Sequence, residues 1–203
     1  GSRKDLLDSA RLFELAPDSN SAKILLGGFE EAFKGRSMAA LPERLMAAMA
    51  RHGGGSVALG LRRGETKAVS DALLVIADVK AEKLIRLQYT EILGEAPNPM
   101  AVPVLLNVLK TEPGSDLKRA ALGALKPYGE VEIAFEILNL YGSLPIDVRQ
   151  VAGTLLAGRI KFAKALVRAV EGGKISPLLI SPEVVSLLRS HNDAEVTGLV
   201  DKY

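Results

Sequence analysis

Arg86, Lys118 and Arg149 stand 32 and 31 positions apart, and the residues around them match. Ile85-Arg86-Leu87-Gln88-Tyr89 aligns with Leu117-Lys118-Arg119-Ala120-Ala121 and with Val148-Arg149-Gln150-Val151-Ala152. The ends of these segments agree as well: Ile92-Leu93-Gly94, Ala124-Leu125-Lys126 and Leu155-Leu156-Ala157. The stretches before them keep the same step, since Leu106-Asn107-Val108 recurs 32 positions later as Leu138-Asn139-Leu140. A unit of this length has room for two short helices and little else. One such hairpin cannot bury both of its faces, so it needs neighbours stacked on it.

The periodicity within each unit is helical. Apolar residues recur at three- and four-residue intervals, and Gly or Pro interrupts them every 10 to 16 residues. The spacing predicts helices ending near Leu15, then from Ser19 or Asn20 to Gly35, Glu43 to Arg51, Ser56 to Leu61, Thr66 to Asp78 and Ala81 to Leu93. It continues with Met100 to Lys110, Ser115 to Lys126, Val131 to Tyr141, Ile146 to Ala157, Lys161 to Glu171, Pro182 to Arg189 and Ala194 to Lys202. No sustained apolar–polar alternation between hairpin turns is present. The chain is 48% hydrophobic but only 4% aromatic, so its apolar content is Leu, Ala, Val and Ile. Leu and Ala favour helix, and the fold class is therefore all-α. Ala121, Gly123, Ala152 and Gly153 are candidate points where helices cross closely. Pro103, with Asn98 as the expected cap, falls at or just past the first turn of its helix.

Pro145-Ile146-Asp147-Val148-Arg149-Gln150-Val151-Ala152 resembles the second helix of the HEAT/armadillo-like superfamily, which opens with a Pro or Asp turn, an aliphatic–basic pair and Ala. Pro113 to Ala121 fits nearly as well, and the unit ending at Leu93 more loosely, with Tyr89 where the family prefers a small residue. The resemblance implies a right-handed α-α superhelix, a HEAT-like solenoid of stacked antiparallel helix pairs. It implies one repeat domain over residues 1–203, with degenerate repeats or a cap over 1–64. The clearest repeats span 65–171, and a cap or truncated repeat spans 172–203. A second, narrower resemblance is to the helical-repeat region of large planctomycete-type multidomain proteins, which carry a sorbosone-dehydrogenase-like propeller and a c-type haem domain. Leu73 to Asp78 and Ile137 to Tyr141 carry it. It implies a connector between redox domains in a periplasmic or otherwise extracytoplasmic place, with no haem on this chain, which lacks CxxCH. Gly1-Ser2 reads as a cloning remnant and Val196 to Tyr203 stops inside a helical pattern, so the expectation is an excised piece of a longer protein.

Composition excludes several chemistries. The absence of Cys removes disulfides, thiolate metal sites and thiol nucleophiles. The two histidines, His52 and His191, are far apart with no second histidine three or four residues away, and no GxSxG serine motif is present. His191 stands where it can meet helix-terminal carbonyls. Carboxylates such as Glu30, Glu31, Asp71, Asp78, Glu91, Glu132 and Glu136 are scattered rather than paired. His52-Gly53-Gly54-Gly55-Ser56 lacks the Lys of a phosphate-binding loop and reads as a helix stop followed by a helix cap. No catalytic residue, metal site, cofactor or small-molecule ligand is assigned.

Two sets of residues stand out as binding candidates. Arg86, Lys118, Arg119, Arg149 and Gln150 lie near the starts of the second helices, which the resemblance places on the concave face. They either grip an acidic partner or tie neighbouring units together through acids such as Asp116 and Asp147. Lys161, Lys164 and Arg168 share one helical stripe and form a basic edge, with Arg159 and Lys174 near them. The function expected is a non-catalytic scaffold or interaction module that binds a protein partner or a neighbouring domain. The alternative is HEAT-like nucleic-acid binding or DNA repair on a basic concave face. The net charge of +2 and the lack of Trp count against it.

Overall fold

A computed structural model describes residues 3–33, 41–51 and 57–202. Thirteen α-helices and two 3-10 turns make up the described residues, which contain no strand. The helices are α1 (Arg3–Glu14), α2 (Ser19–Ala32), α3 (Glu43–Ala50), α4 (Val57–Arg62), α5 (Thr66–Ala77), α6 (Lys83–Glu95) and α7 (Ala101–Thr111). They continue with α8 (Ser115–Leu125), α9 (Val131–Leu140), α10 (Ile146–Ala157), α11 (Ile160–Glu171), α12 (Pro182–Ser190) and α13 (Ala194–Lys202). None is long and apolar enough to cross a membrane. Gly35 and the loop from His52 to Ser56 lie outside the described residues.

The local signals explain most helix ends. Ser181 caps α12 by accepting from the Val184 amide, and Pro182 fills its first position, where no amide partner is needed. At α2 the cap is Asp18, not Ser19 or Asn20: its carboxylate accepts from the Ser21 amide at 2.7 Å. That bond holds the carboxyl below its usual range. Met100, not Asn98, precedes α7, so Pro103 is the third residue of the helix. Its missing amide would have had no intrahelical partner there, and the proline costs nothing.

The chain divides into two compact units, residues 1–98 and 99–203. In the first, α1 packs on α2 and α3, and α4 packs on α5 and α6. Ala10, Phe13, Phe29, Leu45, Ala48, Met49 and Leu59 form a core there. Phe29 meets Phe13 edge-on at 6.2 Å and stacks on Phe33 at 4.5 Å. Few rings exist in the chain, and this core gathers three of its five Phe.

In the second unit the helices form two rows. α7, α9, α11 and α13 each pack on the next, and so do α8, α10 and α12, while α7·α8, α10·α11 and α12·α13 join the rows. Leu117, Ala121, Leu125, Val148, Ala152, Leu156, Phe162 and Leu166 fill the space between, all fully buried. Small side chains allow the close approach. A Cβ on Gly153 would lie 2.7 Å from Val184 Cγ2 and 2.8 Å from the Tyr141 hydroxyl, so α10 needs glycine there. Gly123, expected at a similar crossing, has open space where its Cβ would go.

Several polar links join residues 32 to 35 positions apart. Arg159 Nη2 reaches back 33 residues to the Lys126 carbonyl at 2.8 Å, at the C-terminus of α8. His191 Nε2 donates to the Ala157 carbonyl 34 residues earlier, at the C-terminus of α10. Ser115 binds Asp147 across 32 residues, and Lys174 binds Asn139 across 35. Donors at helix C-termini satisfy carbonyls that have no intrahelical partner and oppose the negative end of the helix dipole.

Candidate functional site

The five residues expected on the second helices meet different fates. Arg86 is only 4% exposed, and its Nε donates to the Ile76 carbonyl at 3.0 Å. It joins α6 to the end of α5 and is not offered to a partner. Arg149 does similar work on α10: its Nη2 donates to the Leu144 carbonyl at 2.8 Å. Lys118 is half-buried and makes no ion pair among the described residues. The base that does pair with acids is Arg119, which binds Asp116 at 2.6 Å and Asp147 at 2.9 Å. The acids named from the sequence are therefore used, but by the residue after Lys118. Gln150 is exposed.

The basic edge is brought together. Lys161, Lys164 and Arg168 project from α11 onto a groove of about 350 Å³ shared with α9, and Lys174 closes one end. Leu138, Ala165 and Ala169 form its apolar floor. Phe135 of α9 lies along it with half of its surface (51%) exposed. Arg159 is not part of the groove, because it is bound to the end of α8.

Acids at the start of α13, Glu195 and the preceding Asp193, meet two of the four cations. Lys164 Nζ lies 2.9 Å from Asp193 and 3.3 Å from Glu195, and Arg168 Nε lies 2.6 Å from Glu195. These hydrogen bonds raise the pKa of Lys164 and Arg168 and lower those of Asp193 and Glu195. Lys161 is exposed and makes no ion pair among the described residues, and Lys174 binds the neutral amide of Asn139 at 2.5 Å. Two of the four positive charges stay uncompensated. Phe135 is the residue missed from the sequence. Its signal was available: α9 carries apolar side chains at Val131 and Phe135 besides its core positions Ile133, Ala134, Ile137 and Leu138, more than one face can bury.

The first unit has a cleft of opposite sign. Glu30, Glu31, Glu91 and Glu95 line it together with Arg62, which binds Glu95 at 3.0 Å. Carboxylates that look scattered along the chain thus share one wall. No group of His, Asp or Glu among the described residues has the arrangement needed to hold a metal ion.

Compared with known proteins, the chain matches no family model, no curated sequence and no solved structure.

Proposed function

We propose that this chain is a non-catalytic helical-repeat interaction module of the HEAT/armadillo-like kind, and that the α9/α11 groove takes an acidic, partly apolar segment of a protein partner or of a neighbouring domain. The observation that carries this reading is the groove itself, an apolar floor with a half-exposed Phe135 framed by Lys161, Lys164, Arg168 and Lys174. Phenylalanine supplies contact area at little entropic cost, and surrounding cations supply complementarity and steering. The two packed rows of the second unit and the links one period apart support the repeat reading.

The test is a fluorescence-anisotropy titration with an acidic peptide containing Leu and Phe, a Lys-substituted control peptide and a single-stranded oligonucleotide. The expected result is binding of the acidic peptide alone. Lys161→Glu and Phe135→Ala should each weaken it about tenfold, the size of a modest interface hot spot. Neither residue belongs to the core. Oligonucleotide binding as tight as that of the acidic peptide would favour the nucleic-acid alternative. No binding by any of the three would sink the groove as an interaction site.

A further inference from the structure

A second cleft, separate from the α9/α11 groove, lies between α10, α12 and the 3-10 turn Pro177–Leu179, with a volume of about 220 Å³. Arg149 is its only charged lining residue, and no carboxylate faces it. Gln150 and Ser181 add polar groups. Ile146, 74% exposed, and Leu178, 95% exposed, line it as well.

Two polar groups at this cleft are short of partners. Arg149 is anchored through Nη2 to the carbonyls of Leu144 and, at 3.5 Å, Gly142, but its Nε is buried with no hydrogen-bond partner. An unsatisfied buried donor costs about 1–3 kcal/mol, more when charged, so its persistence calls for an explanation. Tyr141 is only 1% exposed and lines the cleft, and its hydroxyl makes no hydrogen bond among the described residues. That hydroxyl sits beside Gly153, one helical turn from Arg149 on the same face of α10. Burial raises the phenol's pKa and the nearby Arg149 charge opposes the rise, so the hydroxyl remains protonated and able to donate.

From this juxtaposition we infer that the cleft binds an aliphatic carboxylate. The Arg149 guanidinium pairs with the anion, the Tyr141 hydroxyl and the Gln150 amide donate to its oxygens, and Ile146 and Leu178 cover the hydrocarbon. Nη2 is engaged by two carbonyls and Nε is buried, so Arg149 offers the carboxylate its Nη1 group, one charge-assisted hydrogen bond. The volume is below the range typical of drug-sized ligands, so the ligand is short. The carboxylate comes either from a free short-chain acid or from the C-terminus of a peptide ending in an aliphatic residue, a recognised mode of peptide capture.

The test uses the full 203-residue chain. Hexanoate, hexanamide, a short peptide ending in Leu with a free carboxylate, and the same peptide amidated are titrated by NMR. The expected result is saturable binding of hexanoate, the free-carboxylate peptide or both, and no binding of the amides up to about 10 mM, the range set by the small contact area. Binding of the acid alone or of the peptide alone identifies the source. Arg149→Gln should lower affinity at least about tenfold, the loss of one charge-assisted pair. Because Arg149 also holds the Leu144 carbonyl, Gln150→Glu is the second variant: it is exposed, leaves the core intact and should repel the carboxylate to a similar extent. Tyr141→Phe should weaken binding severalfold. Equal binding of hexanamide and hexanoate, wild-type affinity in Gln150→Glu, or no binding of either carboxylate would overturn the inference.

Discussion

Gly153 and Gly123 are both helical glycines of the second unit, yet they answer different needs. A methyl group at Gly153 would press into Val184 and the Tyr141 hydroxyl, each closer than 3 Å. Gly153→Ala should therefore destabilise the protein by about 1–3 kcal/mol, the usual cost of overpacking. Gly123 has nothing within 4 Å of its Cβ position. Gly123→Ala should stabilise by about 0.5–1 kcal/mol, because alanine restricts the unfolded chain and favours helix. Urea unfolding of the two variants checks both signs. The sequence marked both glycines as close crossings, because both occur beside the recurrent Ala of the second helices. Spacing along one helix does not tell which face a neighbour presses on, so only the packed structure separates them. Arg86 teaches the same lesson. Its recurrence at one position per unit was legible, but its burial against the Ile76 carbonyl depends on where α5 ends in space.

At the scale of elements, α11 and α13 are held together by a charged clamp, Lys164 with Asp193 and Glu195, and Arg168 with Glu195. The folded pKa values of Asp193 and Glu195 are depressed by these partners. The unfolded chain then binds more protons than the folded one at acid pH. The stabilisation is complete above the ordinary carboxylate range and is lost as pH falls through the depressed folded values. The urea midpoint should fall on acidification, and Lys164→Met should flatten that fall. An unchanged slope in Lys164→Met would mean the clamp contributes nothing, as exposed pairs sometimes do. The thirteen helices were legible, most ends to within a residue or two, because Gly, Pro and apolar period act locally. The turn Pro177–Leu179 was not, since three residues give no periodicity. The basic stripe of α11 was legible for the same local reason. That the N-terminal end of α13 supplies its counter-charges, and α9 a phenylalanine, are facts of tertiary packing.

Across the whole molecule, stability rests on apolar layers between packed helices. Leu125 and Leu156 are both fully buried, on α8 and α10. Leu125→Asp or Leu156→Asp should destabilise by more than about 4 kcal/mol, since a carboxylate there has neither water nor a partner. Loss of the cooperative circular-dichroism transition is the expected readout, and a wild-type melting curve in either variant would refute the packing register.

The polar links of the second unit bear on how the chain is made as well as on how it holds. Arg159 to Lys126, His191 to Ala157 and Ser115 to Asp147 each close a loop of similar length, 33, 34 and 32 residues. Loop-closure entropy therefore does not grow from one layer to the next. On a ribosome, each layer can lock as soon as one further period has emerged, without waiting for the C-terminus. Over residues 115–191, little more than one hairpin of apolar surface then waits for its cover at a time.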